Sequence, residues 1–132
     1  MNRTAAGMLI VFAVVAGGQA LAHHSFAMFD DKKEVTITGE VKEFDFTNPH
    51  SWIHVDVNDP GTHTVSSWAI ETASPNFLRR AGWSRDTLKP GDKVAVIINP
   101  LKDGTNGGSL VRVTLPDGRI MSSTKAISGS NQ

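Results

Sequence analysis

The chain has no cysteine. It therefore has neither a disulfide staple nor a thiolate nucleophile, and its stability must come from packing or from a bound ligand. An excess of charge of either sign is missing too, since 13 lysines and arginines stand against 13 aspartates and glutamates. Nucleic-acid binders carry a basic patch that displaces counterions from phosphates, and many peripheral membrane binders carry a polybasic segment. Neither is present. There is no Gly-x-Ser-x-Gly elbow and no phosphate-binding loop. Gly104, Gly107 and Gly108 fall in an expected loop between strands, without the helix start that a phosphate site uses. Asp30, Asp31, Asp56 and Glu71 show no spacing that marks a catalytic carboxylate pair. Internal repeats are also absent. These absences point away from an enzyme and toward a binding protein.

The amino terminus has three regions. Arg3 supplies a positive charge, an uncharged and largely apolar run covers 5–16, and Ala20-Leu21-Ala22 puts small residues where a signal peptidase reads. The run is shorter than the ~20 residues that span a hydrocarbon core. Residues 1–22 are thus expected to be a signal peptide cleaved before His23. Cleavage removes Arg3 and no acid, leaving 12 basic and 13 acidic side chains. The remaining chain suits one domain over 23–121, followed by a small, polar tail over 122–132 that is expected to be disordered.

Within that domain the hydrophobic pattern has a period of two. Over 34–46, Val35, Ile37 and Val41 share one parity, whereas Phe44 and Phe46 share the other. A bulge near Lys42 or Glu43 brings both sets to one core, because one extra residue shifts the phase. Gly39 suits a sharp bend in that strand. A strand is expected over 51–58, a turn at Asp59-Pro60-Gly61-Thr62, and a returning strand over 64–72. Ser74-Pro75 opens a short helix, with serine as cap and Gly82 as its end. Further strands are expected over 93–98 and 110–115, separated by a loop over 99–108, with a short one over 119–121. The fold class is all-β with one short helix. Its order, strand-strand-strand-helix-strand-strand, is that of the five-stranded barrel called the OB-fold. A small sandwich or split barrel would share part of this order. The expected core is Val35, Ile37, Val41, Ile53, Val55, Trp68, Ile70, Val94, Val96, Val111 and Val113, with Phe77 or Leu78 plugging one end.

Several short motifs stand out along the chain: His23-His24-Ser25-Phe26, Asn48-Pro49-His50-Ser51-Trp52, Leu88-Lys89-Pro90-Gly91-Asp92 and Asn99-Pro100-Leu101-Lys102-Asp103-Gly104. Together they resemble a family of small exported bacterial proteins catalogued only as a domain of unknown function. The resemblance implies the periplasm of a Gram-negative bacterium. It carries over no site residue.

Five histidines are the chemistry worth following. His50, Trp52 and His54 share one side of their strand, while Ile53, Val55 and Val57 claim the other. On a straight strand the Cα atoms of His50 and His54 lie roughly 13 Å apart, too far to share one ion. If the turn sets Asn58 opposite His63, then His50 faces Glu71 and His54 faces Ser67. Trp52 and Glu71 would then form an outer ligand-binding face, unless the segment carrying Phe26, Met28 and Phe29 covers Trp52. Cleavage before His23 would place an α-amino group and an imidazole on one residue. Cu(II) favours tetragonal nitrogen sites and heads the divalent affinity series. A third ligand would come from His54, His50 or His63, or from the neighbouring His24. Ser25 in third place excludes the amino-terminal motif that needs histidine there.

The expected function is a periplasmic binding protein for copper or another late transition-metal ion. The alternative left open is a metal-free interaction module that holds a protein or a glycan through the Trp52 face or the 99–108 loop. No nucleic-acid partner is expected, and no membrane attachment after cleavage.

Overall fold

Residues 27–123, the part of the chain described by the computed structural model, form six strands and one short helix. The strands are β1 (Val35–Asp45), β2 (Trp52–Asn58), β3 (Val65–Glu71), β4 (Lys93–Pro100), β5 (Gly107–Thr114) and β6 (Ile120–Ser122). The helix α1 (Pro75–Arg80) lies between β3 and β4. β1 pairs with both β2 and β4, β2 with β3, and β4 with β5, all antiparallel. A parallel pairing of β3 with β5, through Ala69–Gly107, Ile70–Gly108 and Glu71–Ser109, closes the ring. β6 adds to the free edge of β5, outside the barrel. This is the OB-fold barrel, with its helix between the third and fourth strands.

Glycines permit the two tightest approaches. A Cβ on Gly39 would stand 2.4 Å from the Asp56 carbonyl oxygen, at the place where β1 passes from β4 to β2. A Cβ on Gly108 would stand 2.5 Å from the Asn99 carbonyl oxygen, where β5 is held between β3 and β4. Gly107 and Gly108 therefore belong to β5 and close the barrel; the expectation that they lie in a loop is corrected.

The expected bulge is present. Val41 pairs with Val55 and Glu43 with His54, so Lys42 is the extra residue. Ile37, Val41 and Phe46 are all buried as a result, and Phe44 packs against the same core. Ile53, Val55, Ile70, Val96 and Ile98 are fully enclosed. From α1, Leu78 plugs the barrel end and Phe77 points outward, 62 % exposed. Ser74 occupies the N-cap position without a side-chain cap bond, so proline at the first turn is the surviving helix-start signal.

Three core expectations are corrected. Val111 is half-exposed because β5 carries its own bulge: Ile97 pairs with Arg112 and Ile98 with Leu110, which leaves Val111 as the extra residue and gives the core position to Leu110. Val35 opens β1 at the strand end and is exposed. Trp68 packs at the core margin, partly buried.

The segment before β1 is tied down. Phe29 is buried and bridges to Leu101, the Asp30 amide donates to the Pro100 carbonyl at 2.9 Å, and the Lys102 amide donates to the Met28 carbonyl at 2.9 Å. Lys33, 3.3 Å from Asp30, is the chief cause holding that carboxyl below its usual range. Trp83 is buried, and its indole N–H donates to the Ser122 carbonyl at 2.8 Å, fixing the end of β6. No helix among the described residues is long and apolar enough to cross a membrane.

Candidate metal centre and ligand cleft

The bulge at Lys42 determines what β1 presents outward. Turning Phe44 and Phe46 to the core turns Glu43 and Asp45 away from it, onto the face where β2 carries His54. Glu43 is directly opposite His54, and Asp45 is the next residue on that face. His54 Nε2 lies 3.4 Å from Asp45 Oδ2. One ligand atom each from Glu43, Asp45 and His54 lies within 4.8 Å of the other two. Bonds of 2.0–2.2 Å to one ion need donor atoms roughly 3–3.6 Å apart, so the His54–Asp45 edge already has the required length, and the Glu43 donor lies within 4.8 Å of both. Among the described residues neither carboxylate is paired with a lysine or arginine. Both acids are therefore available to a cation, and the partial exposure of His54 and Asp45 lets solvent complete its coordination.

The second constellation is around the end of β3. Glu71 is 8 % exposed, and its Oε1 is hydrogen-bonded to Nδ1 of His50, which follows Pro49 and its cis peptide. A carboxylate accepts only, so a neutral His50 carries its proton on Nδ1 and leaves Nε2 as an acceptor. Thr72 is also buried, and its Oγ1 has no hydrogen-bond partner among the described residues. His50, Glu71 and Thr72 line a cleft of about 420 Å³ together with Phe29, Pro49 and Phe77. A smaller cavity of about 120 Å³ lies between Trp52, Met28, Phe29 and Leu101, and Glu71 borders it as well. The segment through Met28 and Phe29 thus packs beside Trp52.

A profile of the family of unknown function DUF6152 matches residues 11–111. The chain belongs to that family. The match takes in the histidine motifs, both constellations and the barrel as far as Val111 in β5. No curated protein matches the chain, and no solved structure does.

The histidines picked out in the sequence are distributed over separate places. His54 joins Glu43 and Asp45, and His50 joins Glu71 in the cleft. His63 is exposed in the β2–β3 turn, with a positive φ of 55°. His23, His24, Phe26, the expected signal peptide and residues 124–132 of the expected tail lie outside the described residues. The strand register also differs from expectation. Asn58 pairs with Val65, not His63, because Asp59 through Thr64 are all taken up by the turn. Asp59 Oδ1 accepts from the Gly61 and Thr62 amides, which lengthens the loop by two residues. A shift of two preserves which face each side chain occupies. His54 therefore faces Ala69 and Trp52 faces Glu71, while His50, just before β2, still reaches Glu71 by its side chain. Glu43 and Asp45 were missed as candidate ligands. The signal that could have found them is the bulge: moving Phe44 and Phe46 inward necessarily puts 43 and 45 outward, across from His54.

Proposed function

We propose that this protein is exported to the periplasm and there binds a late transition-metal ion, copper foremost, on the outer face of β1 and β2, without catalysing a reaction. The observation that carries the reading is the grouping of Glu43, Asp45 and His54, with one donor atom of each within 4.8 Å of the others. One imidazole and two carboxylates form a mixed nitrogen–oxygen set, which suits Cu(II) and, below it in the affinity series, Ni(II). Two anions facing a dication also balance its charge. Export is supported by the leading segment, with Arg3, the apolar run and Ala20-Leu21-Ala22. If cleavage falls before His23, the α-amino and imidazole nitrogens of that residue supply a second chelating set, with His24 beside it.

The test is metal content, measured by mass spectrometry on protein released gently from the periplasm and never exposed to a chelator or an affinity column. Copper near one equivalent, reduced in a His54→Ala protein prepared identically, supports the reading. A metal content equal in both proteins contradicts it.

A further inference from the structure

The cleft at the end of β3 shares no residue with the Glu43–Asp45–His54 group, and it has a chemistry of its own. Burying a carboxylate is costly unless its acceptor positions are filled. Glu71 is 8 % exposed, and His50 fills one of about four lone-pair sites on its carboxylate. Next in the chain, Thr72 is 7 % exposed, and its Oγ1 has no partner among the described residues. The Glu71 carboxylate thus has acceptor positions to spare, and beside it in the wall of the same cleft is a hydroxyl, able to accept or donate, that has no partner among the described residues. At about 420 Å³ the cleft falls in the size range of small-molecule sites.

Charge decides what kind of molecule supplies the donors. Among the described residues no lysine or arginine lines the cleft, and Glu71 is the one carboxylate that does. Glu71 supplies the negative group of this wall, with His50 Nδ1 bonded to one of its oxygens. An anion is repelled by that carboxylate, and a neutral alcohol, though its hydroxyl can donate to it, brings no positive charge to balance it. The rest of the described wall is made of Phe29, Pro49, Ala73 and Phe77 together with Ser74, Ser109 and Ser123. Phe29 closes one side, Pro49 adds a ring, and Phe77 stands open to solvent although its neighbour Leu78 took the core position. Arg80 lies over the Phe77 ring at 5.8 Å.

We infer that this cleft binds a small organic cation, with a primary ammonium group donating to Glu71 and Thr72 and an apolar or aromatic body lying against Phe29, Pro49 and Phe77. An ammonium has three donors, enough for both acceptors at once.

The probes are benzylammonium, benzyl alcohol and benzoate, which share a ring and differ in charge. Each is titrated into isotopically labelled exported protein and followed by amide chemical shifts. Benzylammonium is expected to move the amides of His50, Glu71, Thr72 and Phe77 and to saturate with a Kd on the order of 1 mM, as suits so small a ligand. Glu71→Gln is expected to weaken it at least about tenfold, the loss of one charged hydrogen bond. Benzyl alcohol or benzoate binding there as tightly would overturn the inference, as would the absence of any shift with benzylammonium. The comparison of the three probes on the unmodified protein stands even if the variant fails to fold. A folded Glu71→Gln protein that keeps the benzylammonium affinity would also overturn it.

Discussion

Glu43 stands directly opposite His54, in the place that Lys42 would hold if the ladder between β1 and β2 had no bulge. One extra residue exchanges a cation for an anion across from the imidazole. The same residue brings Phe44 and Phe46 to the core, so the packing of the barrel and the character of its outer face have one cause.

The core assignment leads to a paired stability test. Ile53→Ala and Leu78→Ala each remove a fully enclosed side chain and should cost about 2–5 kcal/mol. Phe77→Ala and Val111→Ala act on exposed or bulged positions and should cost within about 0.5–1 kcal/mol. Denaturant midpoints of the four variants check this. A Phe77 cost equal to that of Leu78 would mean that the helix plugs the barrel with its other face.

The glycine contacts set a second expectation. Gly39→Ala and Gly108→Ala press a methyl group against backbone oxygens at 2.4 and 2.5 Å, and neither oxygen can move without breaking the ladder. Each should destabilise by at least the ~1–3 kcal/mol usual for overpacking. Gly61→Ala, whose nearest neighbour is an aspartate side-chain oxygen at 3.2 Å, should cost less. Thermal unfolding of the three proteins ranks them.

Much of this architecture was legible in the sequence, because period-two alternation, turn dipeptides and a proline at the helix start report local geometry directly. The β1 bulge was legible for the same reason: two apolar sets of opposite parity lie within one strand. The β5 bulge was not. Leu110, Val111 and Val113 alternate well enough without one, and the shift comes from closure against β3 and β4, which is tertiary. Gly107 and Gly108 looked like loop residues because the close approach that requires them is made by distant strands. The two-residue register shift came from the Asp59 side chain extending its turn. Among the candidate site residues, His54, His50 and Glu71 were visible as outward polar positions. Glu43 and Asp45 were visible only to a reader who followed the bulge to its outer face.

Acid should loosen the anchored segment before β1. The Asp30 carboxyl is held below its ordinary 3.8, chiefly by Lys33, so the stability it contributes is present above that value and is lost as pH falls through the folded value. Asp103, bonded to Thr105, and Asp117, bonded to Arg119, are shifted in the same direction. The difference in melting temperature between the unmodified protein and Asp30→Asn should be steady from about pH 7 to 5 and shrink below about pH 4. A difference that persists unchanged to about pH 3 would contradict this cause.

The contribution proposed for His23 has its own check. Placing one extra residue before His23 moves the α-amino group off the chelating residue while leaving every imidazole in place. If His23 chelates Cu(II) as proposed, the extended protein binds one fewer equivalent, or binds it more weakly, and its visible spectrum shifts. Identical stoichiometry and spectrum would remove the amino group from the set of ligands.

The central claim is that His54, with Glu43 and Asp45, holds the metal. It is tested most directly by titrating Cu(II) into four exported proteins in parallel: unmodified, His54→Ala, Asp45→Asn and His50→Ala. Loss of the imidazole should weaken one binding event by more than the ~10–100-fold that losing an outer hydrogen-bond partner costs, and Asp45→Asn should weaken the same event less. Acidification should weaken it in every protein that retains it, because the ligands must be deprotonated. His50→Ala should leave it intact, because His50 faces Glu71 in the cleft. If His50→Ala abolishes binding while His54→Ala leaves it unchanged, the metal is not held by the outer face of β1 and β2.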